Sequence, residues 1–82
     1  MGYDYITFRS VTYAQRGERV LSASGIRTSL QRTPRWMEEQ GCGYCLRVRS
    51  SGDAVQLLRR ASVPFRKVYT RDGEGKLVEV AL

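Results

Sequence analysis

Histidine is absent from the 82-residue chain. Its absence excludes Ser-His-Asp and Cys-His machinery, and every histidine-containing metal site, within one chain. Cysteine is scarce: the two present are Cys42 and Cys45. Two cysteines do not make the disulfide framework of a small secreted domain. Their C-x-x-C spacing suits metal or redox chemistry in a reducing cytosol better. No apolar run approaches the length of a membrane span. The opening residues "MGYDYITFRS" carry an acid and lack a basic n-region, so no secretory signal is expected. Ile6 stands where a myristoylation site needs Ser or Thr. There is no low-complexity segment. These absences together predict a cytoplasmic protein without membrane attachment.

What remains is a small domain with a cationic surface. A hydrophobic content of 41% argues against disorder. The length predicts one domain over residues 1–82, with a modest core. Fourteen Lys and Arg against eight Asp and Glu leave a formal charge of +6. Such an excess favours anionic partners: nucleic acid, nucleotides or an acidic protein face. The arginines are spread along the chain rather than blocked, which equally fits a soluble domain with arginine-rich usage.

The hydrophobic pattern alternates between periods of two and 3.6 residues. "YDYITF" (Tyr3 to Phe8) predicts a strand with Ile6 and Phe8 on one face, Tyr5 and Thr7 on the other. "SVTYAQRGERVLSASG" predicts a helix burying Tyr13, Ala14, Gly17, Val20, Leu21 and Ser24. Thr12 with Gln15 forms one candidate capping box, and Ser10 is the rival N-cap. Gly25 is the helix stop. "IRTSLQR" alternates again, with Ile26, Thr28 and Leu30 on one face, until Pro34 ends it. "TPRWMEEQGCG" predicts a loop, with room for one helical turn from Trp36 to Glu39. "YCLRVR" predicts a strand, with Tyr44, Leu46 and Val48 inward and Cys45, Arg47 and Arg49 outward. A second helix follows, capped by Ser50 or Ser51 and burying Ala54, Val55, Leu57, Leu58 and Ala61, with Pro64 at its end. "FRKVYT" is a fourth strand, "RDGEG" a turn, and "KLVEV" a fifth strand closing a hairpin. The order β-α-β-β-α-β predicts an α+β fold, the ferredoxin-like sandwich. Four antiparallel strands would be covered by two helices on one face, leaving the other face open to water or a partner.

The chemistry concentrates in "QGCGYCLRVR", Gln40 to Arg49. A thioredoxin-type pair opens a helix, whose N-terminal dipole lowers the thiol pKa, whereas this pair opens a strand. Structural zinc wants four ligands, so a metal reading needs Cys42 and Cys45 from two copies of the chain, with four thiolates for zinc or two for Cu(I). A thiol in an electropositive loop is the third option. Arg35, Arg47 and Arg49 could stabilise a thiolate, persulfide or selenide at Cys42. Gly41 and Gly43 free the backbone to approach, and their N–H groups could form an anion nest. The plain alternative makes Cys45 a small strand residue and Cys42 an idle loop thiol. The same stretch matches an RNA-recognition RNP1 motif only at Gly41, Gly43 and Tyr44, and with the wrong strand parity. A looser electrostatic contact with RNA through Arg47 and Arg49 remains.

In order and spacing, "YITF…T…A…GI…TPR…CGYCLRV" resembles the small bacterial selenium/sulfur carrier protein-like family, from about Tyr5 to Tyr69. The specific parts are Thr33-Pro34-Arg35 and Cys42, Gly43, Leu46, Arg47 and Val48. The resemblance implies a carrier rather than a turnover enzyme, with one thiol, matching Cys42, that accepts sulfur or selenium. The position of Cys45 is often a small residue in the family, so the second cysteine is an elaboration. The partners so implied are a sulfur or selenium donor and an acceptor protein, with no cofactor. Two other readings stay open beside the Cys-ligated metal site shared by two copies. One is a basic binding module for RNA or protein using Tyr5, Thr7, Arg47 and Arg49 on the open sheet face, with Trp36 at its edge. The other is a homodimer formed through that face.

Overall fold

The computed structural model describes residues 3–35 and 43–80. In chain order these form β1 (Asp4–Thr7), α1 (Val11–Ala23), β2 (Thr28–Arg32), β3 (Tyr44–Val48), α2 (Ser51–Arg60), β4 (Val68–Arg71) and β5 (Leu77–Glu79). Among the described residues the strands make one sheet in the order β2-β3-β1-β4-β5, every neighbouring pair antiparallel. The first four strands have the ferredoxin-like arrangement expected from the βαββαβ order. The anticipated C-terminal strand adds at the β4 edge. The helical turn expected from Trp36 to Glu39 lies outside the described residues.

Strand parity sets the two faces. Ile6 pairs with Leu46 and Val68, and Leu46 with Leu30, so these side chains share one face. Both helices cover it. Ile6, Phe8, Leu46, Val48 and Val68 join Ala14 and Leu21 of α1 and Ala54, Val55 and Leu58 of α2 in one buried cluster. Gly17 is where α1 comes closest. A Cβ built there would stand 3.2 Å from side-chain atoms of Phe8, Leu46 and Leu58. A larger residue would therefore press on strand and helix together.

The helix ends show which local signals won. Ser10 is the N-cap of α1, in extended backbone, and its hydroxyl accepts the Tyr13 N–H at 3.2 Å. The Thr12–Gln15 box therefore lies inside the helix. At the other end Gly25 (φ 81°) donates to Ser22 O and Ile26 N–H to Leu21 O. This is the double hydrogen bond of a Schellman stop, and only glycine takes that φ without strain. Ile26 is consumed by the stop, so β2 starts at Thr28, not Ile26. Helix α2 ends the same way, with Ser62 N–H donating to Arg59 O and Val63 N–H to Leu58 O. Here a serine occupies the left-handed position, at φ 57°.

Two expectations are corrected. Ser50 stands at the N-cap of α2, but its side chain makes no capping hydrogen bond. The Ser51 N–H donates instead to Asp4 Oδ2 at 2.9 Å, across 47 residues of chain. Asp4 Oδ1 accepts the Thr70 hydroxyl at 2.8 Å, so one carboxylate ties α2 to β1 and β4. An anion at a helix N-terminus also complements its dipole. The fourth strand begins at Val68, not Phe65. Thr7 accounts for this: its N–H donates to Lys67 O, its carbonyl accepts Arg66 N–H and its hydroxyl accepts Lys67 N–H. A side chain takes one of the donors, and regular pairing starts only beyond it.

Candidate functional site

The candidate residues gather around the β2–β3 hairpin and the sheet face away from the helices. The last described backbone bond across the hairpin runs from Thr33 N–H to Gly43 O, at 2.9 Å. Gly43 has φ 81°, a left-handed conformation that another residue would hold only under strain. This is the physical reason for glycine at that position. Arg35 is exposed, two residues beyond Thr33 in sequence. Gly41 and Cys42 lie outside the described residues, and so does Trp36. Cys42 precedes Gly43 in the chain and Arg35 comes two residues after Thr33, so both adjoin this closing pair in sequence.

Within β3 the parity is as expected. Leu46 and Val48 are fully buried against the helices. Cys45 and Arg47 alternate with them and so face the other side. Cys45 pairs with Thr7 on β1 and Gln31 on β2; Arg47 pairs with Tyr5 and Ser29. The next strand adds Tyr69 opposite Tyr5, and the last adds Glu79 opposite Tyr69.

That face is less open than expected. Thr7 and Tyr69 are each 6% exposed, and Cys45 is completely buried. Thr7 was expected on an accessible surface; its hydroxyl is instead engaged with Lys67. Lys67 also reaches Glu79 at 3.5 Å. Tyr5 and Arg47 are half-buried, and Arg49 is exposed.

Arg47 and Cys45 sit two residues apart on one strand face, about 6.6 Å between their backbone positions at ordinary strand rise. The charge does not point back at the cysteine end. The Arg47 guanidinium lies 4.3 Å from the centre of the Tyr3 ring, and Arg49 lies 5.8 Å from the same ring. Since Tyr5 is opposite Arg47, Tyr3 lies beyond it, toward the end of β3 far from Gly43. The structure thus brings Arg47 and Arg49 together on Tyr3, a residue the sequence reading did not select. Its alternation with Tyr5 and Thr7 was the available signal. Among the described residues no group of three or more Cys, Asp or Glu side chains gathers as a metal site would require. Nor is any described helix long and apolar enough to cross a membrane.

The family described as "Putative Se/S carrier protein-like" matches residues 3–70, which include the whole of β1 to β3, α2 and most of β4. No curated protein and no solved structure matches the chain.

Proposed function

Since the chain belongs to the selenium/sulfur carrier protein-like family, we propose that it carries sulfane sulfur or selenium on the Cys42 thiol. The observation that carries this reading is the family match, which runs through Cys42 and both flanking strands. The burial of Cys45 supports the choice between the two thiols, because a thiolate must be reachable to attack.

In the proposed loading step the Cys42 thiolate attacks the outer sulfur of a persulfide on a donor protein. The new bond joins Cys42 Sγ to that sulfur. The donor's S–S bond breaks and its thiolate leaves with the electron pair. No net oxidation occurs, so no cofactor is needed. An acceptor nucleophile attacking the same outer sulfur reverses the exchange and regenerates the Cys42 thiolate. Selenium follows the same route. Cys45 offers a second exit: its thiolate attacks the inner sulfur of loaded Cys42, hydrosulfide leaves, and a Cys42–Cys45 disulfide remains for a dithiol to reduce. This exit requires the buried end of β3 to open, so direct transfer is the main path.

Positive charge favours the thiolate. Arg35 is the proposed source, two residues past the closing pair of the hairpin. Gly41 and Gly43 are assigned to shaping the loop so that its N–H groups face the bound anion. Arg47 contributes only if it leaves the Tyr3 ring.

The test is intact-mass analysis after incubation with a cysteine desulfurase and cysteine. The wild type gains the mass of one sulfur atom, which a reductant removes, and Cys42→Ser gains none. An unchanged wild-type mass overturns the carrier reading.

A further inference from the structure

A cavity of about 510 Å³ opens where the end of α1 meets the start of β2 and the far end of β3. Its cationic wall is Arg27, Arg47 and Arg49; Tyr3 and the hydroxyl residues Ser22 and Ser29 line it as well. Among the described residues no carboxylate lines it. Among the described residues no carboxylate pairs with any of the three guanidiniums. Three positive charges thus line one concave site with no counter-ion among the described residues. The nearby C-terminus of α1 opposes them with about half an elementary charge. Its carbonyls are moreover taken up by the N–H groups of Ser24, Gly25 and Ile26. The balance is therefore strongly positive.

Two more observations fit a ligand site rather than a solvated basic surface. Arg47 and Arg49 share the Tyr3 ring, so their forks are held near one place instead of sweeping through solvent. Thr28, also on the wall, has a buried hydroxyl with no hydrogen-bond partner among the described residues. It is a polar group without an internal partner beside the pocket.

The geometry points to a binding site for a small organic phosphate of nucleotide size. Guanidinium forks bind both carboxylate and phosphate oxygens in pairs, but three of them on one pocket favour a multiply charged phosphate over a single carboxylate. The volume exceeds what inorganic phosphate needs and falls in the range of ordinary small-molecule sites. The Arg47–Tyr3 stack offers a flat face for the organic part. A strand of RNA would need an extended basic groove, whereas these charges close on one pocket. The site is independent of the Cys42 carrier reading.

The experiment is titration of the full chain with ADP, AMP, inorganic phosphate and a short oligouridylate, followed by amide chemical shifts and calorimetry. ADP is expected to saturate below about 1 mM, a modest affinity for a site of this size. Shifts should concentrate at Ile26–Ser29 and Arg47–Arg49, and binding should weaken as salt rises. Arg27→Gln and Arg49→Gln, both at exposed positions, should each weaken ADP binding by about tenfold, the loss of one charge-assisted contact. Arg60→Gln on the exposed side of α2 removes the same charge and should change little. Arg47→Gln is a further variant, read only if its spectrum remains folded. Several results would overturn the assignment: no saturable ADP binding, equal weakening by Arg60→Gln, or shifts elsewhere. Oligouridylate binding far tighter than ADP would overturn the small-molecule class, and phosphate binding as tightly as ADP would remove the organic part.

Discussion

Cys45 should be almost inert in the folded protein. It is fully buried on β3, a strand bonded to β1 on one side and β2 on the other. Uncovering the thiol requires β3 to part from its neighbours, and β3 is second from the edge of that sheet. At the low end of ordinary stability, ~0.05 kcal/mol per residue over 82 residues gives ~4 kcal/mol for that opening. At about 1.4 kcal/mol per decade this is a protection of roughly 10³ relative to the unfolded chain. The assay is the labelling rate of Cys42→Ser by a thiol reagent, in which Cys45 is the only cysteine left. The rate should rise with urea along the slope of global unfolding. Labelling within about tenfold of the denatured rate, or without urea dependence, refutes the burial argument. In the wild type one thiol, Cys42, should label first.

Asp4→Ala removes the remote cap of α2 and the Thr70 hydrogen bond together; losses of ~1 kcal/mol for the cap and ~1–2 for the charged bond should lower the melting temperature by more than about 8 °C. Asp4→Asn should recover part of that loss. Gly17→Val puts branched carbon where even a Cβ meets Phe8, Leu46 and Leu58 at 3.2 Å, so chemical denaturation should show a loss of about 2 kcal/mol or more. Ser62→Gly should stabilise by about 0.5–1 kcal/mol, since a non-glycine residue now holds the left-handed position. Gly43→Ala should destabilise by about 1 kcal/mol for the converse reason, and in the proposed function it should also slow sulfur loading at Cys42.

The order of elements was readable because each has a strong period: Ile6 and Phe8 against Tyr5 and Thr7, or Ala54, Val55 and Leu58 along α2. Stops were readable where glycine marked them, as at Gly25. What escaped the sequence were interactions between distant segments. Asp4 sits in a strand and reads as a surface acid, yet it caps a helix 47 residues away. Thr7 reads as an exposed alternating residue, but the irregular join with Arg66 and Lys67 buries it. Tyr3 and Arg27 lie far apart in sequence and meet Arg47 and Arg49 only because the antiparallel sheet brings the start of β1, the start of β2 and the end of β3 to one side. The chemistry of the hairpin was legible in a different sense. The pattern of Thr33-Pro34-Arg35 and Cys42-Gly43 carried the family, which the match over residues 3–70 bears out. Periodicity says nothing about thiol reactivity, so the role proposed for Cys42 is one for experiment to test.

The most direct test of the carrier account follows a labelled sulfur atom. A desulfurase is supplied with cysteine labelled at sulfur, and the label bound to wild type, Cys42→Ser and Cys45→Ala is compared after the proteins are digested under non-reducing conditions. The account predicts label on the peptide containing Cys42 in the wild type, a substantial share of it in Cys45→Ala, and none in Cys42→Ser. Equal label in Cys42→Ser, or label lost only in Cys45→Ala, would contradict it.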